Sequence, residues 1–301
     1  MKVGIIGAGS IAGTMAGTIR EMDCAQNYAV AARDYGRAAE FAQTYGFEKA
    51  YGSYEELVED AGVELVYIAT PHSHHYEHIK LCLNHGKHVL CEKSFTVNES
   101  QAREVLALAR EKKLLLTEAI WTRYMPMRKT LDSVLSSGVI GRPYMLTANL
   151  GYIISGKERI MRPELAGGAL LDVGIYPLNF ASMVFGDEVD SITGTAVMTE
   201  TGVDAQNSIT ITYKDGKMAA LCSSAMGLSD RRGIIYGDNG FIEVENINNC
   251  EGIRVYDRSR NMIASYDTPK QISGYEYEVE ACLRAIKEGA LECPEMPHEE
   301  T

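Results

Sequence analysis

Over residues 1–120, short apolar runs rich in β-branched residues alternate with longer segments in which apolar residues recur at helical spacing. The short runs predict strands at Val3–Ile6, Ala29–Ala32, Val63–Ala69, His88–Leu90 and Leu114–Leu116. The longer segments predict helices at Ala12–Met22, Ala38–Tyr45, Tyr54–Glu59, His75–His85 and Ser100–Glu111. Strand and helix in alternation require a parallel sheet with right-handed crossovers. We therefore expect a doubly wound α/β domain at the start of the chain.

The pattern changes after Tyr124. Helices are predicted at Met127–Ser137 and Pro177–Phe185, with a strand at Arg142–Tyr152 between them. Further strand candidates, separated by turn dipeptides that are typical of antiparallel hairpins, follow at Ser191–Met198, Asn207–Lys214, Lys217–Met226, Gly233–Tyr236 and Phe241–Val244. A last helix is predicted at Glu276–Ile286. This half of the chain is expected to be an α+β domain with an open, mostly antiparallel sheet.

These patterns predict two domains, residues 1–120 and residues 121–301. An open sheet that helices cover on one face leaves its other face to be covered by something else. Dimerisation through that second face is our hypothesis, because closed homodimers are the commonest assemblies of soluble proteins.

Charge and cysteine usage narrow the class of protein. Lys and Arg total 29 against 41 Asp and Glu, a net charge of −12 that disfavours nucleic acid and anionic membranes as partners. No apolar run approaches the ~20 residues needed to cross a bilayer, and no signal peptide is recognisable. The seven cysteines form no C-x-x-C pair, which argues against a disulfide framework and a thiolate zinc site. A soluble, cytoplasmic protein is expected.

A glycine-rich motif stands between the first strand and the first helix. It reads Gly7-Ala8-Gly9-Ser10-Ile11-Ala12, a G-x-G-x-x-A fingerprint. Its first Gly permits a tight turn, its second lets the backbone approach a pyrophosphate, and the helix N-terminus presents N–H groups to phosphates. We predict that Gly7, Gly9, Ser10, Ile11 and Ala12 bind a dinucleotide, against the alternative of a glycine-rich turn without a ligand.

The end of the second predicted strand indicates which dinucleotide is bound. NAD sites usually have an acidic residue there, whereas this chain has Arg33, with Arg37 one helical turn further on. A guanidinium can pair with the 2′-phosphate of NADP. Asp34 keeps NAD open as the less favoured cofactor, because a shift of one residue would place a carboxylate near the ribose.

Two further segments carry residues that suggest catalysis. Glu92-Lys93 follows a predicted buried strand at the carboxyl edge of the sheet, where doubly wound sheets bind ligands. Asp172 and Tyr176 are four residues apart in a helical segment, a spacing that places two side chains on one face. Each observation also has an ordinary explanation: a surface lysine at the end of a strand, and an incidental spacing.

Together, several motifs resemble the Gfo/Idh/MocA oxidoreductases, named after glucose-fructose oxidoreductase and inositol dehydrogenase. The motifs occur in order along the whole chain: Gly7–Ala12, Thr70-Pro71, Gly86–Lys93, Glu118–Tyr124 and Gly167–Tyr176. Four segments look most like the branch of dimeric dihydrodiol dehydrogenases and NADP-dependent D-xylose dehydrogenases: Ala32–Asp34, Ala50–Leu57, Glu118–Arg123 and Leu171–Tyr176. The resemblance implies a Rossmann domain followed by a domain with an open, mostly antiparallel sheet, in a dimer or tetramer.

The resemblance also implies roles for individual residues. Lys93 matches the family's essential lysine, Tyr176 stands where the dihydrodiol dehydrogenase branch has Tyr, and Asp172 matches the carboxylate one helical turn before it. Either Tyr176 or Lys93 can serve as the base that takes the hydroxyl proton. We hypothesise that Tyr176 is the proton donor or acceptor, Lys93 the electrostatic stabiliser and Asp172 the residue that orients the substrate. The expected cofactor contacts beyond the glycine motif and arginines are Thr70, Pro71, His72, His74, Glu92, Trp121 and Arg123. The implied activity is transfer of a hydride between NADP(H) and the carbinol or carbonyl carbon of a sugar, polyol or trans-dihydrodiol. The alternative is a non-enzymatic, NADP-sensing regulator with the same fold.

Two features stand apart from this assignment. The family usually has Pro after the lysine, whereas this chain has Ser94, which leaves the geometry of the loop after Lys93 open. His74 and His78 lie one helical turn apart, and imidazole is a common zinc ligand. Because no third-ligand motif accompanies them, we expect no metal site.

Overall fold

The computed structural model describes residues 1–301 and divides into two compact units. The first contains Met1–Tyr124 together with Gln271–Thr301, and the second contains Met125–Lys270. The sequence predicted a single boundary at residue 120, with the C-terminal segment in the second domain. The segment returns to the first unit because its helix, Glu276–Glu288, buries the apolar face that includes Val279 and Cys282 there.

The first unit is built on a six-stranded parallel sheet. Its strands are β1 (Lys2–Ile6), β2 (Gln26–Ala31), β3 (Lys49–Tyr51), β4 (Leu65–Ile68), β5 (His88–Glu92) and β6 (Leu116–Ala119). Its helices are α1 (Ser10–Arg20), α2 (Tyr35–Tyr45), α3 (Tyr54–Glu59), α4 (His72–Asn84) and α5 (Glu99–Lys112). The strand order β3-β2-β1-β4-β5-β6 confirms the predicted doubly wound fold. The short strand β3 was missed because three residues carry no readable alternation.

Local signals in the sequence explain several boundaries in this unit. Every residue of β4 is buried, as expected for a strand of a parallel sheet that is covered on both faces. The side chain of Asn98 accepts a hydrogen bond from the backbone N–H of Gln101 at 3.0 Å and so caps α5. Ser53 and Glu56 form a capping box at the start of α3.

The second unit is an eight-stranded sheet with a helical layer. Its helices are α6 (Pro126–Ser136), α7 (Glu158–Met161) and α8 (Ile175–Phe185). Its strands are β7 (Pro143–Gly151), β8 (Val189–Met198), β9 (Asp204–Tyr213), β10 (Met218–Ser224), β11 (Gly233–Gly237), β12 (Gly240–Glu245), β13 (Gly252–Asp257) and β14 (Met262–Asp267). The predicted open, mostly antiparallel sheet is confirmed.

The sheet differs from the predicted succession of hairpins in one respect. Its order is β14-β13-β12-β11-β7-β10-β9-β8, with β7 inserted between β10 and β11. The β7–β10 pair is parallel, and all other neighbours are antiparallel. A hairpin between β10 and β11 was expected from their closeness in the chain. The central β7 instead pairs with both, and β13 and β14 extend the sheet beyond the predicted strands.

The two faces of this sheet differ in burial. Leu146, Ala148 and Leu150 of β7 point to the face that packs against α8, and all three are buried. On the opposite face, Tyr236, Phe241 and Tyr256 stand side by side on paired positions of β11, β12 and β13. The ring centroids of Phe241 and Tyr256 are 4.6 Å apart, and those of Tyr236 and Phe241 are 6.4 Å apart. These rings are half-buried, so this face carries a partly exposed aromatic row.

One helical stretch, Pro163–Phe185, has the length and the mean hydropathy, 1.3, of a membrane span. However, 61% of its most apolar window is buried inside the protein. A helix that is apolar all round is buried either in protein or in lipid. Because most of this window is already buried inside the protein, the stretch has the burial that is typical of a core helix.

Candidate active site

The glycine-rich turn joins β1 to α1 at the carboxyl edge of the parallel sheet. Gly7 has φ = +103°, and a Cβ there would lie 2.9 Å from the carbonyl oxygen of Ala69, so only glycine fits this turn. Gly9 precedes α1, has no atom within 4 Å of a built Cβ, and provides no side-chain cap. The N-terminus of α1 therefore keeps backbone N–H groups that no side chain caps, an arrangement suited to binding a phosphate. Ala12 is fully buried, which allows α1 to pack closely on the sheet.

Two arginines lie beside this turn. The side chain of Asp34 accepts a hydrogen bond from the backbone N–H of Arg37 at 2.7 Å and caps α2. Nη2 of Arg37 donates to the carbonyl oxygen of Ala8 at 2.8 Å, which holds its guanidinium against the glycine turn. Arg33 is exposed. The residues therefore fit a dinucleotide with a phosphorylated ribose, since Asp34 is occupied as a helix cap and the positive charges are exposed.

Lys93 follows β5 directly and is half-buried. The Lys93–Ser94 peptide bond is cis. The preceding Glu92 is buried and accepts a hydrogen bond from the hydroxyl of Tyr67, which is fully buried. Glu92 therefore has a partner within the core, and its contact with a cofactor stays a prediction.

His75 holds the loop after Lys93 to the loop after β4. Its Nδ1 lies 2.8 Å from the carbonyl oxygen of Ser94, and its Nε2 lies 2.8 Å from that of Thr70; the neutral ring donates a hydrogen bond to one of the two. Burial lowers the pKa of His75 to about 4. The spacing of histidines in the sequence drew attention only to its neighbours His74 and His78. The signal that could have identified His75 is its helical phase, which points it into the core.

Two other histidines of α4 also contact hydroxyl groups near the start of this helix. His78 Nδ1 lies 2.9 Å from the hydroxyl of Thr70, and His74 Nδ1 lies 2.9 Å from the hydroxyl of Ser73. Pro71 is the N-cap residue of α4, and His72 is its first residue and is buried. No three His, Cys, Asp or Glu side chains in the protein are grouped so that they could hold a metal ion.

Trp121 and Arg123 form a short 3-10 turn directly after β6. The ring of Trp121 stacks on Tyr275, with centroids 4.3 Å apart and planes 13° apart. Arg123 is buried and forms an ion pair with Glu300. Both partners come from the returning C-terminal segment, some 150 residues or more away in sequence, so the sequence analysis missed them.

Two buried carboxyl groups lie in the same unit. Burial raises the pKa of Glu118 to about 7, and its Oε1 accepts from the backbone N–H of Phe95 at 3.2 Å. Glu278, on helix α9 (Glu276–Glu288), is fully buried, and neither of its carboxylate oxygens has a hydrogen-bond partner. Burial and the charge of Glu92 raise the pKa of Glu278 well above its usual range. Burial therefore favours the protonated, neutral form of Glu278.

In the second unit, Asp172 and Tyr176 lie where two kinds of helix join. Asp172 belongs to a π-helical segment, Leu170–Gly174, and Tyr176 lies in the first turn of α8. Both side chains are buried. A regular α-helix was expected here; π-turns are frequent at functional sites because they displace side chains from the α-helical rows.

Asp172 has a charged partner that the sequence analysis did not identify. Nη1 of Arg159, on α7, donates to Oδ1 of Asp172 at 2.8 Å. The start of the π-helical segment is fixed by Asp204, whose Oδ2 accepts from the backbone N–H of Leu170 at 2.8 Å. The two contacts join α7, the π-turn and β9 around Asp172.

A cavity of about 350 Å³ lies in the second unit among the ends of β7, β8, β9 and β10. The residues that line it include several with hydroxyl, thiol or amide groups, among them Asn149, Thr195, Gln206, Ser208 and Cys222. None of the residues predicted to act on substrate or cofactor lines it.

Comparison with protein families gives two matches. A model described as an oxidoreductase family with an NAD-binding Rossmann fold, GFO/IDH/MocA, matches residues 1–120. The GFO/IDH/MocA C-terminal domain matches residues 129–243.

Curated relatives match along nearly the whole chain. Trans-1,2-dihydrobenzene-1,2-diol dehydrogenase of Homo sapiens is 36% identical over 310 residues, which covers 100% of this chain and 92% of that enzyme. The Xenopus tropicalis enzyme of the same name is 34% identical and covers 98% of this chain and 92% of its own length.

Solved structures show the same fold. A 3-ketoreductase from Actinomadura kijaniata in complex with TDP-benzene and NADP superposes with a TM-score of 0.87 at 24% identity, covering 99% of this chain and 92% of that chain. An aldose-aldose oxidoreductase from Caulobacter crescentus, complexed with glycerol, superposes with a TM-score of 0.90 at 18% identity, covering 100% and 92%.

Proposed function

This chain belongs to the Gfo/Idh/MocA oxidoreductase family, and on that premise we propose that it is an NADP(H)-dependent dehydrogenase acting on a sugar, polyol or trans-dihydrodiol. The observation that carries the proposal is its 36% identity to a trans-dihydrodiol dehydrogenase along 92% of that enzyme. Hydride would pass between the nicotinamide and a carbinol or carbonyl carbon of the substrate.

The choice of NADP over NAD rests on the end of β2. Arg33 is exposed and Arg37 is held against the glycine turn, so two positive charges are available to a 2′-phosphate. Asp34 caps α2 and does not take the place of the acidic residue that binds the ribose of NAD. The structural neighbour from Actinomadura kijaniata contains NADP.

When bound, NADP supplies the nicotinamide carbon that accepts or donates the hydride. Tyr176 takes up or returns the proton of the substrate hydroxyl, as a general acid or base must. The ammonium of Lys93 stabilises the negative charge that develops on the substrate oxygen. Asp172 accepts a hydrogen bond from a substrate hydroxyl and orients the carbon that reacts. His75 positions the peptide that follows Lys93 through its contact with Ser94.

An absorbance screen at the NADPH band tests this function. Aldoses, inositols, dihydrodiols and dicarbonyls are offered with NADP⁺ or NADPH, and with NAD(H) in parallel. Turnover of at least one carbinol or carbonyl class with preference for NADP(H) is expected. A protein that binds NADPH but turns over none of these compounds would instead support the NADP-sensing regulator; the presence of both Lys93 and Tyr176 favours the enzyme.

We further propose that the chain assembles as a homodimer, or as a homotetramer, through the open face of the second unit's sheet. The row Tyr236, Phe241 and Tyr256 supplies partly exposed aromatic surface there, and Met262 on the adjoining edge strand is 57% exposed. Aromatic residues and Met are enriched in interface cores. A monomeric mass by light scattering would contradict this assembly.

The remaining assignments are proposals of the same kind. The first unit is proposed to bind the cofactor, and the second to bind substrate and form the dimer. A cytoplasmic location is proposed because all seven cysteines are free, as is usual where thiols are kept reduced. Fractionation of the native host would test it.

A further inference from the structure

Arg159 is positioned to do more than balance the charge of Asp172. Its Nη1 donates to Asp172 Oδ1 at 2.8 Å, so the pair links a buried carboxylate to a partly exposed guanidinium. The side chain of Asp172 is 7% exposed and that of Arg159 is 40% exposed. The pair therefore reaches from the buried π-turn to solvent.

The backbone around this pair is closely packed. A Cβ at Gly167 would lie 2.4 Å from the carbonyl oxygen of Ile160 and 2.7 Å from that of Arg159, so only glycine lets α7 lie this close. Gly168, at φ = +103°, would place a Cβ 2.2 Å from Oδ1 of Asp204. Gly167 thus lets the helix that carries Arg159 lie against the segment that carries Asp172. Gly168 lets Asp204 approach the same segment. Functional groups held in this way lose little conformational entropy on binding.

Most donors of the Arg159 guanidinium remain available. Nη1 is its only nitrogen with a hydrogen bond to protein, and the side chain is 40% exposed. The neighbouring Arg162 is different, because its two terminal nitrogens pair with Glu158 and Glu164. In a protein with a net charge of −12, an arginine with further N–H donors is suited to bind a carboxylate or a phosphate, because two oxygens of either group can accept parallel hydrogen bonds from it.

We propose that Arg159 is a specificity-determining residue that binds an oxyanion of the substrate, a carboxylate or a phosphate, next to the hydroxyl that Asp172 orients. The substrate class is then a hydroxylated acid, either a sugar acid or a sugar phosphate. This inference rests on the proposed function, since it assigns the oxyanion to the substrate of that reaction.

Matched substrates test the proposal. The wild-type enzyme, Arg159→Met and Arg159→Lys are assayed with a neutral aldose, the corresponding uronate and the corresponding 6-phosphate. Wild type is expected to prefer one of the two anions. In Arg159→Met, KM for that anion should rise about tenfold or more, the loss expected for a charged hydrogen bond, with a smaller change for the neutral aldose. Arg159→Lys should restore binding of phosphate better than binding of carboxylate, because an ammonium lacks the planar fork. Arg162→Met is the control and should match wild type.

The opposite results are equally clear. If kcat falls by the same factor for neutral and anionic compounds in Arg159→Met, the arginine only holds Asp172 and the proposal is wrong. Turnover of neutral polyols alone by wild type also overturns it but leaves the proposed function standing. If no compound of this set or of the absorbance screen is turned over, the proposed function fails. The role of Arg159 is then tested by the shift in melting temperature that inorganic phosphate or acetate causes. Arg159→Met should abolish this shift, and a shift equal to that of wild type would refute the proposal.

Discussion

The carboxylate of Asp34 accepts a hydrogen bond from the backbone N–H of Arg37 at 2.7 Å. This contact assigns the acidic residue at the end of β2 to capping α2 and leaves the guanidinium of Arg37 beside the glycine turn. From sequence, Asp34 left open whether the protein binds NAD or NADP. With Asp34 engaged as a helix cap, the preference between the two cofactors depends on whether Arg33 and Arg37 bind the 2′-phosphate.

Arg33→Ala and Arg37→Ala are each expected to raise KM for NADP⁺ by about tenfold or more, with little effect on KM for NAD⁺, because a charged hydrogen bond to phosphate is lost. Initial rates with both cofactors give the ratio. Arg103→Ala, on the surface of α5, is the control. An equal rise for both cofactors would contradict recognition of the 2′-phosphate.

Lys93→Met and Tyr176→Phe are expected to lower kcat by about 10²–10⁴-fold, the usual contribution of a positioned acid, base or charge. NADPH binding, followed by fluorescence, should persist in Tyr176→Phe. Lys129→Met, an exposed lysine of α6, is the matched control. Nearly full turnover in either variant would remove that residue from the mechanism.

His75→Gln should reduce the change in the free energy of unfolding with pH between about pH 4 and pH 6.5. The pKa of His75 in the folded protein, about 4, lies below the ordinary value of 6.5, so its stabilisation is present above pH 6.5 and is lost as pH falls towards 4. This pH-dependent contribution of His75 to the free energy of unfolding amounts to about 3 kcal/mol. Urea unfolding at pH 7 and 4.5 measures it as the difference from wild type. The exposed His85→Gln is the control, and an unchanged pH slope in His75→Gln would refute the prediction.

Glu278→Gln should stabilise the protein at pH 8 and have little effect below pH 4.5. Because the pKa of Glu278 is raised in the folded state, the folded protein retains this proton at pH values where the unfolded chain loses it. The free energy of unfolding therefore falls as pH rises from about 4.3, the pKa of Glu in an unfolded chain, towards the folded pKa. The gain at pH 8 is expected to be on the order of 1–3 kcal/mol. Guanidinium unfolding at the two pH values measures it, with the exposed Glu280→Gln as control. Equal effects at both pH values would contradict a proton held by Glu278.

Phe241→Lys is expected to convert the dimer into a monomer, because a charge in the middle of the aromatic row must be desolvated on association. Light scattering across a range of protein concentrations gives the mass. Tyr35→Lys, which changes a tyrosine that is 62% exposed in the first unit, should leave the assembly unchanged. A dimer that survives Phe241→Lys would place the interface elsewhere.

Features read from neighbouring residues were predictable. The alternation of strands and helices predicted the doubly wound sheet, and the position of Gly7 and Gly9 predicted the glycine turn between β1 and α1. The insertion of β7 between β10 and β11 was not predictable, because pairing partners depend on side chains that are distant in sequence.

The sequence by itself determined the fold class and placed Lys93 at the end of β5, since periodicity and strand order act over short segments of chain. Only the tertiary structure decided which groups surround the candidate residues. Arg159 reaches Asp172 because Gly167 and Gly168 allow close backbone contact, and Glu278 is buried because α9 returns to the first unit. Contacts of this kind depend on packing in three dimensions, which local pattern does not encode.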